Sequence, residues 1–260
     1  MPEKVALLAA EGDIALARLD VRPTLDGVEA GLWELRRLGR RRVRLLNEAG
    51  ALLTVHDKLA TALRLAAHAI PHPRTSHIGR DENLPAVEFP VVAKPRFGSW
   101  GRDVLLARTS DELERALSRL RRRLWFREQG VLLQELVPPR GYDLRLLVAC
   151  GEVIGAIERI AAGGEWRTNV ALGARRRRVV PPPGACALAR AAAAAVGADF
   201  VGVDLLPAFD GGWIVLELNG AVDFAPDYAL DGRDVFEDAV RLITLADAPL
   251  AEPFRNDLHA

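Results

Sequence analysis

The chain has 260 residues, half of them apolar, and its 35 basic and 35 acidic side chains cancel. That length supports a substantial core in one or two domains, and the balanced charge argues against a general polyanion binder, so no nucleic-acid partner is expected. No apolar run approaches the roughly 20 residues of a membrane span, and the N-terminus lacks the basic-then-apolar pattern of a signal peptide.

Neither an internal repeat nor a disordered tail stands out. Cys150 and Cys186 are far apart without metal-like spacing, as expected of inert thiols in a reducing cytoplasm. Lysine occurs only at Lys4, Lys58 and Lys94; every other basic residue is Arg. Because the two cations are not interchangeable, Lys58 and Lys94 mark positions where a compact ammonium is needed, chance retention being the alternative.

In chain order, residues 5–9 and 14–21 read as short strands. Val28, Leu32, Leu35 and Leu38 stand at helical spacing within residues 26–38, the basic run at 40–42 suits the helix end, and 43–46 returns as a strand. Residues 57–69 form a helix closed by Pro71 and Pro73. Lys58 lies in its first turn, where a cation opposes the helix dipole, so it is expected to serve a partner.

A second unit has strands over 91–94, 104–107 and 131–137, with the loop FGSWGRD at 97–103. Thr109 and Glu112 open a helix running to about Glu128 as a capping box. Gly98, Ser99 and Gly101 allow close backbone approach to a ligand, although an ordinary hairpin loop has the same composition.

The last unit begins near Pro138, with strands over 142–149 and 153–160 that carry Asp143, Arg145, Glu158 and Arg159. These four are either structural ion pairs or an anion clamp. A polar loop at 166–169, a basic run at 175–178 and a helix over 185–196 follow; a helix over 234–245 closes the chain. Residues 201–222 read as two apolar strands joined at Asp210-Gly211-Gly212. Glu217 and Asn219, two apart, share a face. With Asp204 brought opposite, they form an all-oxygen acidic cluster suited to Mg²⁺; the alternative is a strand-end Asp204 with Glu217 and Asn219 facing solvent.

The ordered set DK (57–58), AKP (93–95), GSWGRDV (98–104), QELV (134–137), YDLR (142–145), IER (157–159), RTN (167–169), GVDLL (202–206) and ELN (217–219) resembles ATP-grasp carboxylate–amine ligases of the RimK/LysX type. The resemblance covers about residues 50–225 and is carried by order and spacing rather than by any single piece. It implies an α/β (α+β) ATP-grasp fold, two α+β subdomains gripping ATP. The expected division is a shortened preATP-grasp-like layer (1–56), a linker helix with the lid subdomain (57–137) and a C-terminal subdomain with the metal site (138–260).

It further implies that Lys58 and Lys94 approach the ATP phosphates and that Ser99 and Trp100 fold over them. Gln134, Glu135, Leu136 and Val137 would hold adenine through backbone groups, and Asp143 would contact the nucleotide. Arg167, Thr168 and Asn169 would lie near the phosphates and reacting centre, with Arg159, Arg167 and Asn169 catalytic and Arg145 second choice because Asp143 can claim it. Asp204, Glu217 and Asn219 would carry Mg²⁺, with Mn²⁺ as the alternative.

The implied reaction is amide formation between a carboxylate and an amine through an acylphosphate, on an amino acid or peptide, in the cytoplasm. A carrier protein and a homo-oligomer are the implied partners. Leu172 stands where the family often has Arg, and Gly220 to Phe224 replaces its Pro-Gly turn, which leaves the acceptor open. A nucleotide-binding protein without ligase turnover is the second reading.

Overall fold

The computed structural model describes residues 9–245; most of the strand expected over 5–9 lies outside the described residues. The N-terminal layer is small. Strand β1 (Ile14–Leu16) runs parallel to β2 (Arg44–Leu46), with helix α1 (Leu32–Arg40) between them. Helix α1 starts later than its apolar spacing predicts, because residues 21–28 fold back through a bridge between Val21 and Val28 and Gly31 caps the helix at φ 140°. Two helices follow, α2 (Ala49–His56) and α3 (Lys58–Ala67). Asp57 between them is extended (φ −87°, ψ 101°), and its side chain accepts from the backbone N–H groups of Leu59 and Ala60, a standard N-cap. Helix α2 was not expected: AGALLTVH is apolar nearly all round, so no stripe marks it.

The lid comprises β3 (Thr75–Ile78), β4 (Val91–Lys94), β5 (Leu105–Ala107), α4 (Ser110–Leu120), α5 (Leu124–Gln129) and β6 (Val131–Glu135), in an antiparallel sheet of order β3-β6-β4-β5. The expected capping box is formed in a shifted version: Thr109 Oγ1 accepts from Glu112 N–H at 3.2 Å, while the Glu112 carboxylate reaches past the cap to Arg108 N–H at 2.6 Å. The single helix expected to Glu128 breaks at Arg121–Arg123. Both Trp125 and Phe126 are buried in the lid core, and Trp125 Nε1 donates to Asp103 at 3.0 Å, where the chain restarts as α5. Strand β3 carries too little apolar pattern to be seen in the sequence.

The C-terminal unit holds β7 (Tyr142–Ala149), β8 (Glu152–Ile160), β9 (Arg175–Arg178), α6 (Pro183–Val196), β10 (Phe200–Pro207), β11 (Trp213–Asn219) and α7 (Val235–Leu245). Its antiparallel sheet has the order β11-β10-β7-β8-β9. The alanines of α6 allow close packing on Leu144, Leu146, Val201, Val203 and Val215, and this core also takes in Leu35 and Leu38 of α1 and Leu65 of α3. Both the N-terminal layer and α3 therefore share the core of this unit. The arginine run is the edge strand β9, paired through Arg177 with Glu158 and through Arg176 with Asp223 at 3.0 Å. Charged side chains on an edge discourage pairing with another chain.

Candidate active site

A cleft enclosing about 990 Å³, its open mouth included, lies between the lid sheet and the C-terminal sheet. Its wall includes Lys58, Lys94, Ser99, Trp100, Gln134, Glu135, Leu136, Val137, Arg159, Arg167, Thr168, Asn169 and Glu217. Asp143, Asp204 and Asn219 do not line it. Most of the candidate residues, spread over 160 positions of sequence, thus meet at one place because two sheets face each other.

Both flagged lysines stand on this wall. Lys94, at the end of β4, is only 5% exposed and donates to Gln134 Oε1 at 2.6 Å; Gln134 Nε2 in turn donates to Thr75 Oγ1 at 2.8 Å. Burial, reinforced by the charge of Lys58, lowers the Lys94 ammonium from 10.5 to about 8. Lys58 projects from the start of α3, donates to Gly98 O at 2.8 Å and pairs with Glu217 Oε2 at 3.0 Å. Burial pushes Glu217 up, but the opposing charge of Lys58 prevails and holds it below its usual range. Asp57 is clasped by both donors of Arg96, at 2.8 and 2.6 Å, which ties α3 to the strand bearing Lys94.

The glycine loop is drawn to the other unit by cations. Trp100, Gly101 and Asp103 have φ of 56°, 69° and 53°, and at Gly101 a Cβ would stand 2.8 Å from Asn169 Oδ1, so any larger residue there would be strained and would push Asn169 aside. Arg102 lies 4.7 Å over the Trp100 ring. In the segment Gln134–Val137, Glu135 N–H donates to Arg74 O at 3.0 Å and Leu136 N–H, more loosely, to Pro90 O at 3.3 Å.

Beneath the wall the sheet carries a grid of buried ion pairs set by register. Asp143 stands opposite Arg159, and Asp204 stands opposite Arg145 on one side and Glu217 on the other. Arg159 holds Asp143 with Nε at 2.8 Å and with its Nη2, and also reaches Asp204 at 2.8 Å. Arg145 clasps Asp204 at 2.6 and 2.7 Å, and Thr168 donates to Asp143 at 2.6 Å. The two arginines are therefore structural partners of buried acids. Arg145 belongs to Asp204 rather than to Asp143, since cross-strand neighbours approach more closely than residues two apart on one strand. Burial raises Asp143; at Asp204 burial acts the same way, but the two guanidinium charges outweigh it and hold that carboxyl low.

The oxygen donors of Glu217 and Asn219 fit a hard divalent cation. A bulge after Asp204 leaves Val215 and Leu218 in the core while Glu217 stays on the cleft side. Asp204 is opposite Glu217 as expected, yet three of the roughly four sites a carboxylate offers are taken by guanidinium donors. Among the described residues no three His, Cys, Asp or Glu side chains gather as a metal site; the candidate set has two carboxylates and one amide.

Sequence reasoning missed Thr75, Arg96 and Glu165. Arg96 and Thr75 carried no local signal, because each acts through a partner about 40 or more residues away. Glu165 lies beside the noted loop and binds Arg167 through both oxygens.

Two α+β units closing on a lysine-walled cleft define an ATP-grasp protein. Within that class the chain belongs to the RimK-like ATP-grasp family, whose model matches residues 55–230. It is 33% identical over 204 residues to human β-citrylglutamate synthase B, covering 75% of this chain and 52% of that protein. To the α-aminoadipate–LysW ligase LysX of Saccharolobus solfataricus it is 30% identical over 184 residues, covering 69% of this chain and 66% of that one. The chain spans about half the length of the synthase. The structure of Bacillus anthracis D-alanine–D-alanine ligase complexed with ATP superposes with a TM-score of 0.67 at 18% identity, over 90% of this chain and 80% of that one, a likeness of fold. Among the described residues no helix is long and apolar enough to cross a membrane.

Proposed function

We propose that the chain is the catalytic unit of an ATP-dependent carboxylate–amine ligase, acting with Mg²⁺ or Mn²⁺ on an amino acid or peptide-like substrate in the cytoplasm. One observation carries this reading: two of the chain's three lysines and Glu217 converge on one cleft in a RimK-like chain. A substrate carboxylate attacks the γ-phosphate of ATP, giving an acylphosphate and ADP; an amine then displaces phosphate and an amide bond forms. No protein nucleophile is required. The demand is for fixed positive charge where phosphoryl oxygens gather charge, and for a site shielded from water.

Lys58 and Lys94 answer the first demand, with Arg159 behind them and Asn169 beside the glycine loop. The second is met by Ser99 and Trp100 of the lid, and Gln134 to Val137 form the part of the cleft wall against which adenine would rest. Asp143 acts through Arg159 rather than directly. Glu217 and Asn219, with Asp204 behind them, would hold the metal, which supplies charge to the phosphates. A carrier protein presenting one substrate and a second copy of the chain are the proposed partners.

The second reading, a nucleotide-binding protein without turnover, is favoured by the commitment of Asp204 to Arg145 and Arg159. ADP release with Mg-ATP against a panel of amino acids and short acidic peptides, with product masses, separates the two. An amide product establishes the ligase. Tight ATP binding with no turnover on any pair points to the second reading or to a missing carrier protein, which adding carrier-bound substrate distinguishes.

A further inference from the structure

The lid loop is fastened at three carbonyls by cations from outside the lid. Lys58 takes Gly98 O, and Arg167 Nη1 takes Gly101 O at 2.9 Å and Val104 O at 3.4 Å. The opposite edge of the Arg167 guanidinium is filled by Glu165, whose Oε1 accepts from Nε at 2.9 Å and Oε2 from Nη2 at 2.8 Å. Four of the five N–H donors of that guanidinium are thereby engaged within the protein.

Glu165 is itself set for the task. Its Oε1 also accepts from the Arg167 backbone N–H at 2.9 Å, and its own N–H donates to Ala162 O at 3.0 Å, closing a turn through Gly164 at φ 80°. The pair is mostly out of solvent, with side chains 21% and 23% exposed. A planar fork gripped on one edge by a carboxylate presents its other edge in one direction only, and that direction is the lid.

We propose that Glu165 is a positioning residue that aims Arg167 as a staple on the lid loop, and that this staple sets how long a nucleotide stays in the cleft. Arg167 then acts on the loop carbonyls rather than on phosphate. The staple stands on the geometry alone, whereas the dwell-time half rests on the nucleotide-binding reading above.

The test is hydrogen exchange of peptides covering 97–104 in protein without nucleotide, followed by dissociation of a fluorescent ATP analogue. Glu165→Gln and Arg167→Lys are expected to speed loop exchange about tenfold, local opening being what such exchange reports, while β6 stays protected. For Glu165→Gln the analogue leaves about tenfold faster and KM for ATP rises with kcat within about twofold, as for lost uniform binding; Glu165→Asp restores part of the protection. Loop exchange equal to wild type in both variants would overturn the staple. So would weakened nucleotide binding with unchanged loop exchange, which returns Arg167 to direct phosphate contact. Wild-type protein that binds no nucleotide would remove the ligase reading and the dwell-time half with it, while loop exchange still decides the staple.

Discussion

Replacing Lys94 by Met deletes the terminal ammonium and its charge and keeps an unbranched stem one atom shorter. In the folded protein the ammonium is buried and bonded to Gln134 Oε1. Losing that donor leaves a buried acceptor unpaired, at about 1–3 kcal/mol, but a desolvated cation is removed as well, which offsets a similar amount. Stability should therefore change by about 1 kcal/mol or less. ATP binding should change far more. A hydrogen bond from a charged donor contributes about 1.5–3 kcal/mol, so Kd should rise about 10- to 150-fold.

Calorimetric titration with Mg-ATP at pH 7, beside a urea melt, measures both quantities. Unchanged affinity in a folded variant would refute the assignment of Lys94 to the phosphates. The wild-type pH profile gives an independent arm. Lys94 is lowered to about 8 chiefly by burial, and a phosphate would raise it, so binding takes up a proton above pH 8. Affinity should then fall by up to about tenfold per pH unit above 8, and the Met variant should lack that slope. Stability runs the other way: between 8 and 10.5 the unfolded chain holds the Lys94 proton and the folded chain does not, so this group's contribution to stability rises with pH across that window.

Glu217→Gln should abolish metal-dependent turnover while the protein still folds, with a modest fall in the urea midpoint because the pair with Lys58 is lost; an active variant would remove it from the proposed metal site. Gly220→Ala should cost about 1–3 kcal/mol by overpacking, because a Cβ there would stand 2.6 Å from Leu52 Cδ1, 2.8 Å from Val55 Cγ2 and 2.9 Å from His56 Nε2, all on α2. An unchanged denaturation midpoint would show that α2 yields. Arg159→Met should cost about 3–5 kcal/mol, as when one partner of a buried pair is lost, because Asp143 and Asp204 both lean on it. A loss below about 1 kcal/mol in a denaturant melt would mean that Arg145 and Thr168 suffice for these acids.

Lys58 and Lys94 were legible in the sequence because they are exceptions in an arginine background, and both reached the cleft. The capping box at Thr109 and the hairpin carrying Asp204 and Glu217 were legible because their signals are local in sequence. Helix α2 was hidden by its apolarity on every side. Strand β9 was hidden because four arginines resemble a solvated run until Glu158 and Asp223 stand beside them. His56 gave no warning either: buried, with no hydrogen-bond partner for Nε2 among the described residues, it is lowered to about 4 chiefly by burial.

Local periodicity and turn chemistry settle which elements form and which kinds of side chain stand at their ends. Partner choice was left to the tertiary structure. Arg145 went to Asp204, Arg159 to Asp143 and Arg167 to the lid because strand register and the facing of two sheets bring together groups far apart in the sequence. Periodicity records which face of an element is buried; it holds no record of which charge waits on the neighbouring strand.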